Sequence, residues 1–400
     1  MRPGLRLRVG VVANEFFDPS LGGRGGFGWA ARAVAETFAA APELGVDVIF
    51  LSCHPRRAHP TGRARVEGTS VLLQRSTRVD YVRSLRRQRV DVLLTIDYRP
   101  NYWPILCGLP RTPVLVWVRD PRTPEDTEKI LTLRIPGQDG VRPQGIDPID
   151  CTSLRKIVLL SRLVRRPVRF ASTAPEYLLD KARGAYELPV EELSFLPNPV
   201  GVSRAPEGRS GRPTALFLAR LDPYKRPWLY VELARAFPEV EFLVTGEPHF
   251  HGPGAWTPSA LPGNVRLVGH VDGAEKARLL SSAWVLVNTS IHEGLPVSFL
   301  EALACETPIV SCNDPEGVVS RFGVYTGRCD GAGLEGLPRL QEGLASLLED
   351  RARREQLGRA GRAWVEASHS RAGFLQAFSR LCDETGIGPL RGLSEELEGA

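Results

Sequence analysis

Two carboxylates, Glu293 and Glu301, stand eight positions apart in the stretch HEGLPVSFLEALACETPIV, His292 to Val310. Between them Gly294-Leu295-Pro296 reads as a turn, and an apolar run through Val297, Phe299, Leu300, Ala302 and Leu303 reads as a helix. A carboxylate accepts hydrogen bonds from hydroxyls. A helix start does the opposite: it points free backbone N–H groups and a partial positive charge at whatever fills the turn. A helix beginning near Pro296 or Val297 would place Glu293 at the lip of the turn and Glu301 about one turn inside. Such an anion-binding end flanked by acceptors suits a ligand that carries both phosphate and sugar hydroxyls.

A second constellation, FLARLDPYKRP, runs from Phe217 to Pro227. Arg220 and Lys225 are cations on a strand-to-helix loop, placed to reach a diphosphate. Arg226 next to them is expected to face solvent. A Gly-rich loop, LGGRGGFG, spans Leu21 to Gly28 between the first strand and its helix. Glycines there let backbone approach a phosphate or sugar closely, at Gly22 and Gly23 above all and less surely at Gly26. No Lys-Ser/Thr follows, so this is not a Walker loop, and it is not the dinucleotide fingerprint. His249 and His251 lack a third ligand at metal spacing and read as a polar loop. No Asp-x-Asp occurs, so no metal site is expected.

The elements that must position these residues alternate strand and helix. Arg8–Ala13, Val46–Leu51, Val92–Ile96 and Val114–Val118 read as strands, and Trp29–Ala40, Leu154–Leu163 and Pro175–Ala185 as helices. The pattern restarts after the polar Gly/Pro/Arg stretch that ends at Pro213, with strands at Ala215–Ala219, Val240–Thr245, Val265–Gly269 and Trp284–Asn288. Such alternation predicts parallel sheets in an α/β fold. The division expected is residues 1–200, residues 201–369, and a C-terminal helix and tail over residues 370–400.

With 400 residues at 42% hydrophobic, the chain can bury two cores. The N-terminus runs straight into a strand, which predicts no signal peptide, and no run is long enough to span a membrane. Seven scattered cysteines without a CxxC pair read as reduced thiols of a cytoplasmic protein. Through Val200 there are 30 Lys+Arg against 21 Asp+Glu, and the rest of the chain has 21 against 25. A basic first half points to an acidic partner or to a solvated arginine surface. Its segments Gln74–Arg89 and Leu154–Arg169 have the spacing of basic amphipathic helices, packed on their own sheet or laid on an anionic membrane.

The motif Glu293–Glu301, with the following Thr307-Pro308-Ile309-Val310, resembles the Glu-x7-Glu motif of the retaining, GT-B-fold glycosyltransferases of family 4 (glycosyltransferase group 1). The resemblance is strong from Ala215 to about Val319. It implies two Rossmann-like domains facing a central cleft, with a C-terminal helix returning to the first domain. It implies transfer of a sugar from a UDP- or GDP-sugar without metal or other cofactor. Arg220 and Lys225 would hold the donor diphosphate, and Gly22 and Gly23 would lie over phosphates and sugar. Backbone groups of Gly269, His270 and Val271 would meet the base. Glu293, with Gly294, Leu295, Pro296 and Val297, would hold the sugar, and Glu301 the ribose. Where relatives often carry His after a first-domain strand, this chain has Arg119-Asp120. Arg119 either meets an acidic acceptor or pairs with Asp120. His292 is either a packing or an orienting residue. The acceptor, small molecule, saccharide or lipid-linked, stays open, as do the sugar, the base and a peripheral membrane contact; nucleic acid is not expected. Rival readings are a GT-B epimerase or phosphorylase, and a silent sugar-nucleotide-binding module.

Overall fold

Parallel strands organise both halves of the chain. The computed structural model describes residues 6–16, 25–55, 62–74, 77–146, 153–202, 208–258, 260–390 and 393. These fall into two units, Met1–Pro121 with Asp150–Pro199 and Ser370–Ala400, and Arg122–Ile149 with Val200–His369.

The first unit holds an eight-stranded sheet. Its strands are β1 (Leu7–Ala13), β2 (Val46–Pro55), β3 (Arg63–Val66), β4 (Thr69–Gln74), β5 (Val92–Ile96), β6 (Val114–Val118), β7 (Val168–Ser172) and β8 (Ser194–Phe195). The spatial order is β3-β4-β2-β1-β5-β6-β7-β8, all parallel except the β3–β4 pair. Every residue of β5 and β6 is buried, which is why these strands are unbroken apolar runs rather than alternating ones. The antiparallel β3–β4 pair was not anticipated, because its four- and six-residue strands carry little periodic signal. The helix Gly26–Ala39 lays Ala30, Ala31, Val34 and Phe38 on this sheet. Phe38 meets Phe374 and Phe378 edge-on, at 6.0 and 5.2 Å, from the C-terminal helix Arg371–Glu384. That helix thus returns to the first unit, its start capped by Ser370 Oγ, which accepts from Gly373 N.

The second unit is a six-stranded sheet of β9 (Thr214–Leu218), β10 (Glu241–Thr245), β11 (Val265–Gly269), β12 (Val285–Asn288), β13 (Ile309–Ser311) and β14 (Gly323–Tyr325). The order β11-β10-β9-β12-β13-β14 is parallel throughout. Residues 122–149 depart from the expected division at Val200, for they belong to this unit. The reason is apolar complementarity: Ile130, Leu133, Ile135 and Ile146 share a core with Phe217, Trp228 and Leu229. Gln144 N also donates to Gly254 O at 2.7 Å. Each unit is a Rossmann-like α/β layer structure, and the fold is of the GT-B type. In both sheets the chemistry-bearing loops leave the carboxyl ends of strands, where open α/β sheets bind ligands.

Candidate functional site

The site builds up from the turn after β12. The helix Val297–Ala304 begins at Val297 with Pro296 as N-cap in extended backbone, as the sequence suggested. Helix geometry points the first, unpaired amides back toward the turn Glu293–Leu295. Leu295 is buried and anchors that turn.

Glu293 is the hub. Its Oε1 accepts from Lys225 Nζ at 2.7 Å, Asn288 Nδ2 at 3.1 Å and Ser290 Oγ at 2.5 Å. Burial raises the carboxyl pKa, but the Lys225 charge and these three hydrogen bonds outweigh it, and the group is held below its ordinary range. Glu293 is therefore an ionised acceptor. All three donors lie on Oε1, which leaves the acceptor capacity of Oε2 for other hydroxyls. Lys225 ends the short 3-10 turn Pro223–Lys225 and also stands over the ring of Tyr224. Thus the second constellation and the Glu-bearing turn do meet, through one ion pair.

Arg220 leaves the end of β9. Its Nε pairs with Asp222 Oδ2 at 3.1 Å, and its Nη1 lies 3.2 Å from His249 Nδ1. Asp222 is buried and also accepts from His249 N at 3.1 Å. His249 Nδ1 also lies 3.9 Å from Asp222 Oδ2, so Arg220, Asp222 and His249 form one polar cluster. His249 is thus a neighbour of the diphosphate candidate Arg220. Asp222 was not singled out from the sequence; a lone Asp in a loop carries no signal until its burial is known.

Glu301 lies in the helix and is half-buried. Its Oε1 accepts from Lys276 Nζ at 2.7 Å, and Asp272 Oδ1 is 3.8 Å from the same ammonium. Lys276 was likewise missed, because it sits 25 residues away on the helix Gly273–Ser282. Gly269 ends β11 with a φ of 85°, and its carbonyl accepts from Gly246 N at 2.7 Å. Gly246 itself is required: a Cβ there would come within 1.9 Å of Ala219 O. His270 is half-buried and Val271 buried beyond that strand end. His292 is buried, its Nδ1 3.2 Å from Asp126 Oδ1, and it meets Tyr224 edge-on. It is an orienting contact for the segment of residues 122–149.

One expectation is overturned. Arg226 does not face solvent; it is fully buried. Its Nε donates to Thr289 O at 2.7 Å, Nη1 to Cys329 O at 2.9 Å and Nη2 to Ser290 O at 3.1 Å. The carbonyls of Thr289 and Ser290 after β12 and of Cys329 after β14 need donors, and the guanidinium fork supplies one to each.

In the first unit, Gly22 and Gly23 lie outside the described residues. The end of their loop is described: Gly25 caps the helix, and a Cβ on it would collide with the Glu15 carboxylate, which accepts from Phe27 N at 2.8 Å. Arg119 is buried at the end of β6. It stacks on Trp117 at 4.5 Å, and its Nη1 donates to Asn198 Oδ1 at 2.7 Å. Burial lowers its pKa to about 10, against the attraction of Asp97, Asp120 and Glu15. Asp120 contributes its carbonyl to Tyr186 Oη, 3.1 Å away. Asp97, fully buried, takes Arg99 Nη2 at 3.0 Å and Tyr186 Oη at 2.9 Å. Sequence reading missed Asp97, Arg99 and Asn198, whose roles depend on burial alone. The strand-end pair Arg119-Asp120 therefore belongs to a buried polar network in this unit.

Residues 202–364 match the family described as glycosyl transferases group 1. A curated relative, the GDP-mannose-dependent monoacylated alpha-(1-6)-phosphatidylinositol monomannoside mannosyltransferase of Corynebacterium glutamicum, is 28% identical over 149 residues. That alignment covers 35% of this chain, and the chain spans only 38% of the relative's length. Among solved structures, sucrose-phosphate synthase from Thermosynechococcus elongatus aligns over 95% of this chain and 99% of its own, with a TM-score of 0.58 and 16% identity. Anabaena HepE in complex with UDP-glucose aligns over 94% of this chain and 100% of its own, at 0.63 and 13%. These likenesses bear on the fold. The sequence match to glycosyl transferases group 1 covers residues 202–364, all within the second unit.

Proposed function

We propose that the protein is a retaining hexosyltransferase that takes a sugar from a UDP- or GDP-sugar without a metal. The ion pair of Lys225 and Glu293 at a helix start carries this reading. An ionised Glu293 accepts hydrogen bonds from sugar hydroxyls and is not a general acid. Lys225 keeps further N–H donors for a phosphate oxygen, and Arg220, held by Asp222 and His249, supplies a planar fork. Cations and amides fixed in advance stabilise the charge that develops on the departing diphosphate. Retention follows from attack on the face the diphosphate leaves, so Glu293 forms no covalent bond. Glu301 meets the ribose in exchange for Lys276, and backbone at Gly269–Val271 meets the base. UDP-glucose in the Anabaena complex and GDP-mannose in the Corynebacterium enzyme's name support the donor class. Arg119 and Asp120 lie on the acceptor side. A saccharide or lipid-linked acceptor at an anionic cytoplasmic membrane surface is the partner this reading favours.

The test is donor turnover. UDP- and GDP-sugars should be screened by thermal shift, then by slow hydrolysis and by the anomeric configuration of the product. Arg220→Ala and Lys225→Ala should each cost about 2–4 kcal/mol of transition-state stabilisation, as loss of one preorganised donor does. Near-normal turnover in both variants would remove the diphosphate assignment.

A further inference from the structure

Arg226 poses a charge problem. Its guanidinium is fully buried and cannot lose its proton in a protein. Among the described residues no carboxylate lies within ion-pair distance of it. Its partners are three carbonyls and two sulfurs, Cys312 Sγ at 3.0 Å and Cys329 Sγ at 3.2 Å from Nη2. A buried charge left unpaired is costly, and the thiols are the only groups touching it that can ionise. Its backbone is also held in the left-handed region, with a φ of 48°, which a residue other than glycine rarely adopts. Strain of that kind persists only where the surroundings enforce it.

The surroundings do enforce it. Both the Cys312 and the Cys329 sulfur lie against the same nitrogen, Arg226 Nη2. The neighbouring Cys312 thiol and the Arg226 charge drive the Cys329 thiol well below its ordinary range against the opposing effects of burial and Glu335. Cys312 is driven up, by the neighbouring Cys329 and by burial, against the charges of Arg226 and Lys129. Gly336 leaves no slack, since a Cβ there would lie 2.7 Å from Cys329 Cβ.

We propose that Cys312 and Cys329 form a redox-modifiable pair, in which Cys329 is the thiolate counter-ion of Arg226 and a small hydroperoxide oxidises the pair to a disulfide. The Cys329 thiolate attacks a peroxide oxygen, the O–O bond breaks, and the departing oxygen takes a solvent proton. The Cys329 sulfenic acid is then attacked by Cys312 sulfur; the S–O bond breaks and water leaves with the Cys312 proton. The pair loses two electrons, which reduce one hydroperoxide to water and an alcohol, or to two waters for hydrogen peroxide. Arg226 loses its counter-ion in the process. The same guanidinium holds the carbonyls of Thr289 and Ser290, and the Ser290 hydroxyl donates to Glu293. Oxidation would thus be felt at Glu293. This inference stands apart from the identity of the transferred sugar.

The test uses the full wild-type chain at neutral pH with a small excess of hydrogen peroxide, read by differential alkylation and peptide mass spectrometry. Among the described cysteines Cys107 is the exposed competitor. Buried Cys53 and Cys382, both pushed up to about 12 by desolvation, are the inert controls. A Cys312–Cys329 disulfide reversible by dithiothreitol is expected, forming at least about tenfold faster than any change at Cys53 or Cys382. In Cys312→Ser, dimedone should trap a sulfenic acid at Cys329; in Cys329→Ser, Cys312 should stay unmodified. Recovery of both as free thiols at a dose that oxidises Cys107 overturns the proposal. So does oxidation of Cys312 in Cys329→Ser as fast as in the wild type.

Discussion

At the scale of single residues, the ionisation of Glu293 is set by Lys225. Desolvation favours the neutral acid, yet one ammonium and two neutral donors reverse the balance. The folded pKa lies below the unfolded one. The pair therefore stabilises the fold above the ordinary carboxylate range, and this contribution disappears as pH falls through the folded value. Lys225→Ala should move the acid limb of the kcat/KM profile to higher pH, because Glu293 then keeps its burial and loses its cation. A limb that stays in place would mean that another group controls it. The two carboxylates should also separate. Glu301→Gln should weaken binding of the bare nucleoside diphosphate by about 1.5–3 kcal/mol, the worth of a hydrogen bond to a charged group. Glu293→Gln should leave that binding nearly intact and depress transfer. Isothermal titration with UDP and GDP distinguishes these outcomes, and equal losses would contradict the division.

Elements give a different kind of evidence. The helix Arg78–Arg87 buries Tyr81 and Leu85 and sends its arginines outward, which is how a soluble amphipathic helix packs. The helix Leu154–Leu163 does not follow that pattern. It buries Leu154, Ile157 and Ser161, but Leu159 and Leu163 are 61% and 73% exposed on one outward stripe. Leu160 and Val164 are exposed beside them, with Arg155, Lys156, Arg162 and Arg165 around the stripe. An apolar stripe rimmed by cations suits a bilayer interface, each cation near an anionic surface contributing about 1 kcal/mol. The expected result is co-sedimentation with phosphatidylserine-containing vesicles at low salt, reduced at moderate salt and reduced further in Leu159→Ser/Leu163→Ser. No binding at low salt would leave the arginines to a soluble acceptor.

For the whole molecule, the proposed transfer requires that a departing diphosphate's charge be neutralised. Among the described residues no helix is long and apolar enough to cross a membrane, and no group of three or more His, Cys, Asp or Glu is placed to hold a metal ion. The second unit concentrates Arg220, Lys225 and the start of the helix Val297–Ala304 at strand ends of one sheet. Turnover should accordingly survive excess EDTA, assayed as release of nucleoside diphosphate from the preferred donor. Full loss with chelator, restored by Mn²⁺ or Mg²⁺, would show that these groups do not suffice.

The sequence by itself determined whatever rests on local periodicity and turn chemistry. The buried strand β12, the Pro296 cap and the helix after it follow from an apolar run, a Gly/Pro turn and 3.6-residue spacing within about twenty residues. The strand-to-helix loop bearing Arg220 and Lys225 was legible for the same reason. Burial and long-range partnership were not, because they depend on which distant segments share a core. Arg226 and Lys225 are adjacent cations with no sequence signal to tell them apart; only the fold turns one toward Glu293 and the other into the carbonyls of Thr289 and Ser290. Lys276, Asp222 and Asp97 became candidates only once their neighbours were known. Residues 122–149 follow the first unit's strands in the chain, yet Ile130 and Leu133 find their apolar partners in the second unit, and chain order carries no record of that choice.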